Sequence, residues 1–272
     1  MSSPSSSPGP RQSLDRASFS AEERVVFVSD VHLRFDDQAY LDQFVGFLRD
    51  VQSDGAAAVY IHGDLFDFYV GPRQGQQPFY RPLFEALNDL VTGGIPVAVL
   101  HGNRDYLMGK RFVEAGCELI PDETVLDLGG ARTHLSHGDQ FCIHDRSYQF
   151  WARGVLRLAP IRVLVKMMPV SIGFWLARRY RVISARKFKK HAGEGKSRLP
   201  SVLDGVAQLL ARESFDSVIC GHIHHLAETD VGTPERPTRL LTTGAWEQAP
   251  NYVEWDGGTL RATTIKAAPS PA

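Results

Sequence analysis

The sequence predicts an α/β fold of two mixed β-sheets packed as a sandwich and flanked by helices, with a helical lid inserted late in the chain. Three observations predict it. In the first half, short apolar β-branched runs alternate with amphipathic helical stripes, which implies parallel strands joined by right-handed crossovers. From Thr124 onward, strand runs are separated by glycine turns, which implies hairpins and hence mixed sheets. Five of the strand runs end in Asp, His or Asn, four of them beside glycine, at the carboxyl edge where open α/β sheets hold their ligands.

Residues 1–22 are rich in Ser, Pro and Arg and lack periodicity, so they are expected to form a disordered tail. Val25 to Val28 is an apolar run with the look of a buried strand, and it leads to Asp30-Val31-His32. Tyr40, Leu41, Phe44, Val45, Leu48 and Val51 then follow helical spacing. A second strand run, Ala56 to Ile61, leads to His62-Gly63-Asp64. Leu83, Phe84, Leu87, Leu90 and Val91 form the next helical stripe, closed by Gly93-Gly94. The third strand run, Val97 to Leu100, leads to His101-Gly102-Asn103-Arg104-Asp105. Val125 to Leu128, Gly129-Gly130 and Arg132 to Ser136 form a hairpin whose second strand leads to His137-Gly138-Asp139. Val202, Leu203, Val206, Leu209 and Leu210 are helical, and Ser217 to Cys220 leads to Gly221-His222-Ile223-His224. The chain closes with strand runs Arg239 to Thr243, Tyr252 to Trp255 and Leu260 to Ile265. One domain over residues 23–266 and a disordered tail over 267–272 complete the expectation, and no internal repeat is present.

The stretch between the fourth and fifth motifs differs in texture. Residues 150–200 hold 13 of the chain's 30 Lys and Arg but only one of its 31 acidic residues, while the whole chain has a formal net charge of −1. Large aliphatics are interleaved with these cations, and Pro160 and Pro169 break the segment into short helices. Two readings stand at this point: a helical cap packed on itself, or a lid over about 148–197 with an apolar groove and basic rim suited to an amphipathic substrate or membrane surface. Nucleic acid is not expected as a partner, because the cations do not line a polar face. Three cysteines make no disulfide framework, and no secretory signal or spanning segment is visible, so a cytoplasmic location is expected.

Seven side chains at the strand ends have metal-ligand character: Asp30, His32, Asp64, Asn103, His137, His222 and His224. Each motif alone has a plain explanation, since Gly-Asp is a common turn and Asp-x-His usually binds nothing. Their recurrence after five apolar strand runs is what points to one centre. Mixed Asp, His and Asn donors without thiolate favour Mn, Fe or Zn over Mg or Ca. Seven donors exceed one tetrahedral ion and suit two ions roughly 3.5–4 Å apart that share a carboxylate, an arrangement that serves phosphoryl displacement.

Taken together, Asp30-x-His32, Gly63-Asp64-x-x-Asp67, Gly102-Asn103-x-Asp105, His137-Gly138-Asp139 and Gly221-His222-x-His224 resemble the signature of the calcineurin-like metallophosphoesterases. The resemblance implies that Asp30, His32, Asp64 and His224 hold one ion. It gives Asp64, Asn103, His137 and His222 to the other, with Asp64 bridging. Asn103-Arg104-Asp105-Tyr106-Leu107-Met108-Gly109, Tyr148-Gln149 and Gly244-Ala245-Trp246 are similar to the UDP-2,3-diacylglucosamine pyrophosphatases of lipid A synthesis. That likeness implies two divalent ions, Mn before Fe or Zn, and a lipid-linked sugar nucleotide as substrate. It also implies peripheral attachment to the cytoplasmic surface of the inner membrane. Asn103, Arg104 and Asp64 become the expected catalytic residues, and Arg104, Asp145, Tyr148, Lys196 and His222 the expected substrate contacts. Where many relatives carry His, Arg104 stays charged and cannot usefully donate a proton, but it can clamp phosphate oxygens with two nitrogens. The competing expectation is a soluble phosphodiesterase or nucleotide pyrophosphatase on the same fold.

Overall fold

A computed structural model describes residues 13–144 and 199–265, together with 158, 160, 163, 165, 167, 169–175 and 179. Twelve strands form two six-stranded mixed sheets. The first has the order β12-β11-β2-β3-β4-β5, with β2 Val25–Val28, β3 Ala58–His62, β4 Val97–Leu100, β5 Glu118–Leu119, β11 Asn251–Asp256 and β12 Thr259–Thr264. Strands β2, β3, β4 and β5 are parallel, and β11 and β12 are antiparallel additions at one edge. The second sheet has the order β1-β6-β7-β8-β10-β9, with β1 Ser18–Phe19, β6 Glu123–Leu128, β7 Ala131–Ser136, β8 Ser217–Cys220, β9 Ala227–Thr233 and β10 Arg236–Thr242. Its β6–β7 and β9–β10 pairs are hairpins, and β7, β8 and β10 run parallel.

Strands β2 and β4 are apolar at every position, and β3 at all but its last, His62, because both faces are covered. Val25, Phe27, Ala58, Tyr60, Ala98 and Leu100 face inward and meet Leu126, Leu128, Leu135, Ile219 and Leu241 of the second sheet. The alternate residues Val26, Val28, Val59, Ile61, Val97 and Val99 face outward. They are covered by α1, Gln38–Ser53, through Leu41, Phe44 and Leu48, and by α3, Arg81–Thr92, through Leu83, Leu87 and Leu90. Two short helices, α2 Pro72–Gly75 and α4 Lys110–Glu114, lie in the connections. The outer face of the second sheet is covered by α5, Leu199–Leu210, whose Val202 and Val206 pack with Val218, Cys220 and Leu240. A Cβ at Gly205 of α5 would lie 2.6 Å from the backbone of Phe141, so the helix seats directly on the turn that follows the His137 motif.

The two-sheet sandwich and its flanking helices agree with the sequence expectation; two details differ. The expected tail of residues 1–22 is ordered from Leu14: Leu14, Ala17 and Phe19 are buried, and β1 pairs in parallel with β6. Tyr60 donates its hydroxyl to the Leu14 carbonyl at 3.0 Å. The Ser-rich composition hid three apolar residues that gain order only from the sandwich they join. The edge strand β9 was not foreseen, because its exposed face, with Glu228, Asp230 and Gly232, reads as a loop. Most of the expected lid, residues 148–197, lies outside the described residues. Residues 170–175 are helical, with Gly173 buried against Val70 and Phe174 stacked on Phe35 at 4.0 Å between ring centroids.

Candidate metal centre

The carboxyl ends of β2, β3 and β4 in one sheet and of β7 and β8 in the other converge, and the seven predicted side chains follow them. The loops are laced together by backbone bonds. Asp30 N–H donates to Gly63 O at 3.2 Å, His32 N–H to Asp64 O at 3.0 Å and Leu33 N–H to Leu65 O at 2.8 Å. Asp30, His32, Asp64, His222 and His224 all have left-handed backbones, with φ between 52° and 68°, and among the described residues are the five non-glycine residues with positive φ. Such a conformation costs an L-residue roughly 1–2 kcal/mol, so the surroundings must impose it.

Asp105 is one of the groups that impose it. Its buried carboxylate accepts from the backbone N–H groups of Gly102 (2.8 Å), Asp64 (3.3 Å), Leu65 (2.7 Å) and Phe66 (3.3 Å). The Asp30 carboxylate plays the matching part across the sandwich. Its Oδ2 accepts from Ser29 Oγ at 2.7 Å and from His222 N–H at 2.9 Å. Space is also restrictive. A Cβ at Gly63, where φ is 96°, would lie 2.6 Å from His137 Nδ1. At Gly221, which has no positive φ, a Cβ would overlap Asp30 and Ser29, so that glycine is required for close approach and not for turning.

Two groups of donors result. In one, His32 Nε2 and His224 Nε2 are 2.8 Å apart, and Asp30 Oδ1 is 3.2 Å from the latter and 3.7 Å from the former. In the other, Asn103 Oδ1 is 3.0 Å from His137 Nε2 and 2.9 Å from His222 Nδ1, and Asp64 Oδ1 is 3.6 Å from His137 Nε2. The sets Asp30, His32, His224 and Asp30, Asp64, His137 each bring their donor atoms within 4.8 Å of one another, so each could hold an ion. By this geometry Asp30 belongs to both groups, whereas the family resemblance gives the shared position to Asp64. Asp30 Oδ1 is buried and has no hydrogen-bond donor, and two imidazole nitrogens converge beside it. A carboxylate oxygen buried in that state is costly unless a cation meets it, so the residues fit a divalent ion in each group.

Metal binding needs neutral imidazole and ionised carboxylate; His32 and Asp30 stand in those states, whereas Asp64 is raised and His137 is raised against its burial by the charges of Asp64 and Asp30. Burial drives His32 well below the ordinary imidazole range, helped by the charges of Arg104 and His224. Asp30 is held well below the carboxylate range: burial opposes this, but the neighbouring His224 and the charges of His137 and His32 outweigh it. Burial pushes Asp64 up to about 7 against the pull of His137 and Arg104.

Arg104 stands at this centre with its side chain 18% exposed. Its backbone N–H donates to Asp64 Oδ1 at 2.9 Å, its Nη1 lies 2.7 Å from Asp67 Oδ1, and its Nε lies 3.5 Å from Asp64 Oδ2. Of the expected substrate contacts, Arg104 and His222 are therefore at the centre, while Asp145, Tyr148 and Lys196 lie outside the described residues. His62 and His101 are not in either donor group. His62 is fully buried and gives its carbonyl to His137 Nδ1 at 3.2 Å, and His101 bonds Asp122 and the Met108 carbonyl. Asp67, Asp105 and Ser29 were given no role from sequence. Asp67 and Asp105 sat inside the quoted motifs, and that position was the available signal.

The family model for the calcineurin-like phosphoesterases matches residues 23–226. Among curated proteins, the chain is 33% identical to a UDP-2,3-diacylglucosamine hydrolase of Pseudomonas aeruginosa (strain UCBPP-PA14), over 87% of this chain and 97% of the relative. It is 34% identical to the protein of that name from Yersinia enterocolitica, over 81% and 90%. Identity to the one from Salmonella paratyphi B is 33%, over 84% and 93%.

Proposed function

Because the chain belongs to the calcineurin-like phosphoesterases, we propose that it is a metal-dependent hydrolase that cleaves the pyrophosphate of UDP-2,3-diacylglucosamine, giving UMP and 2,3-diacylglucosamine 1-phosphate. The observation that carries this reading is the convergence of both donor groups and Arg104 at the five strand ends, in a chain alignable with nearly the full length of relatives bearing that name. Asp30, His32, Asp64 and His224 would hold one divalent ion and Asp64, Asn103, His137 and His222 the other. Mn is the proposed metal, with Fe or Zn as alternatives. Bound there, the ions would supply a nucleophile at neutral pH and stabilise charge on both oxygens of the displacement.

The protein's own contribution is orientation and charge. Arg104 would bind the non-bridging oxygens of the diphosphate with a planar fork, which Lys cannot reproduce. The leaving group is itself a phosphate ester and needs little protonation, so a permanently charged residue serves where a proton donor is dispensable. Asp145, Tyr148 and Lys196 are proposed to contact the sugar phosphate. Leu158, Val163, Met167, Ile172 and Trp175 are exposed apolar side chains in the insert. With the many Lys and Arg in the sequence of the insert they support a peripheral site on the cytoplasmic surface of the inner membrane. Among the described residues, no helix is long and apolar enough to cross a membrane.

A substrate panel tests the reading. Mn-loaded protein is given UDP-2,3-diacylglucosamine, its deacylated counterpart and a soluble diuridine polyphosphate, and release of uridine nucleotides is followed. Preference for the diacylated substrate by at least two orders of magnitude is expected, because each buried methylene contributes about 0.8 kcal/mol. Equal turnover of the soluble compounds would replace this reading with that of a soluble nucleotide pyrophosphatase.

A further inference from the structure

We infer that Asp67 is a positioning residue for Arg104, fixing the guanidinium for the diphosphate before the substrate arrives. The inference rests on the proposed function for the identity of the anion. Asp67 Oδ1 and Arg104 Nη1 are 2.7 Å apart, with only 10% and 18% of the two side chains exposed. Both partners hang from fixed backbone. Asp67 N–H donates to Leu33 O at 3.1 Å, beside the Leu33–Phe66 bridge. Arg104 N–H donates to Asp64 at 2.9 Å, and Arg104 O accepts from Tyr69 N–H at 3.0 Å.

The ion pair is redundant for holding these loops together. The four N–H bonds to Asp105 and the Tyr69–Arg104 backbone bond already join them. What the backbone bonds do not fix is the long Arg104 side chain, with its many rotamers. Asp67 fixes it at one end nitrogen, while Nε leans towards Asp64 at 3.5 Å. A carboxylate next to an anion-binding guanidinium weakens its net charge, which is a poor arrangement for attraction alone. It is a good one for orientation, because a preorganised donor pays less entropy when the phosphate is engaged.

The test is a double-variant cycle with Asp67→Asn, Asp67→Glu, Arg104→Lys and Asp67→Asn/Arg104→Lys. Steady-state kcat and KM are measured on UDP-2,3-diacylglucosamine and on bis(p-nitrophenyl) phosphate, with bound metal and melting temperature determined alongside. Asp67→Asn is expected to keep parental metal content and melting temperature while kcat/KM falls about 10–100-fold, and Asp67→Glu is expected to recover part of the loss. The double variant is expected to be no worse than Arg104→Lys, to within about twofold, because coupled residues are not additive. Equal losses from Asp67→Asn in both backgrounds, loss of metal, or parental kinetics in Asp67→Asn would each overturn the inference. If Asp67→Asn does not fold, the same cycle is run with Asp67→Glu. If the parent protein does not cleave UDP-2,3-diacylglucosamine, the functional reading fails, and the cycle on the small diester still decides the part played by Asp67.

Discussion

At Asp64 two demands meet on one residue. Its carboxylate is proposed to reach an ion while its backbone holds φ at 52°, and three of the N–H groups from Asp64 onward are pinned by Asp105. Replacing Asp64 with Ala removes an anionic donor and leaves the strain. The expected outcome is loss of activity by at least three orders of magnitude, with metal content well below the parental value. Elemental analysis of the purified variant checks this, and two equivalents retained per chain would show that Asp64 is no ligand. The donor residues were legible in the sequence because Asp, His and Asn after an apolar strand have few other reasons to recur. Their left-handed backbones were not legible, since φ is imposed by loops that meet only in the folded chain. Asp105 was legible as a motif member, but its task, four N–H groups gathered by one carboxylate, exists only in three dimensions.

Strands β2, β3, β4 and β8 were readable because burial on both faces leaves an unbroken apolar run. Strands β1 and β9 were not, because they are edges whose order comes from the neighbour they pair with. Strand β11 carries a testable charge network: Glu254 accepts from Arg24 Nε at 3.1 Å, Arg261 Nε at 2.9 Å and Thr263 Oγ1 at 3.2 Å. Burial works to raise the Glu254 carboxyl, but the bonds and charges of Arg261 and Arg24 hold it below the usual range. A depressed carboxyl stabilises the fold above its unfolded-state pKa and loses that contribution as pH falls through its folded-state pKa. Glu254→Gln is therefore expected to lower stability by about 1–2 kcal/mol at neutral pH, with the gap closing below the carboxylate range. Urea unfolding of both proteins at pH 7 and pH 3 measures it, and an equal gap at both pH values would assign the loss to packing.

For the whole molecule, the sandwich is the part that sequence periodicity specifies, and the insert is the part that it does not. An apolar, basic segment has no single period, so composition alone left a packed cap and a substrate lid equally open. The described portion touches the body beside the centre, through Phe174 on Phe35, three residues past His32, and through Gly173 on Val70, three past Asp67. Removing the insert while keeping the five motifs is expected to spare hydrolysis of a small chromogenic diester and abolish that of the diacylated sugar nucleotide. Comparison of the two rates at parental metal content decides it. An equal fall in both would identify the insert as part of the core.

The five left-handed residues have one more consequence. Natural selection for activity has kept this chain away from its own stability optimum at these positions, because the residue best suited to each backbone is not the one that the chemistry needs. Glycine relieves roughly 1 kcal/mol of left-handed strain at a site, at the cost of a donor. His224→Gly is accordingly expected to melt above the parent protein when both are stripped with a chelator, and below it when both are saturated with Mn. The melting curves would thus change places with metal, and the strength of that exchange would measure how far the fold has been bent towards its function.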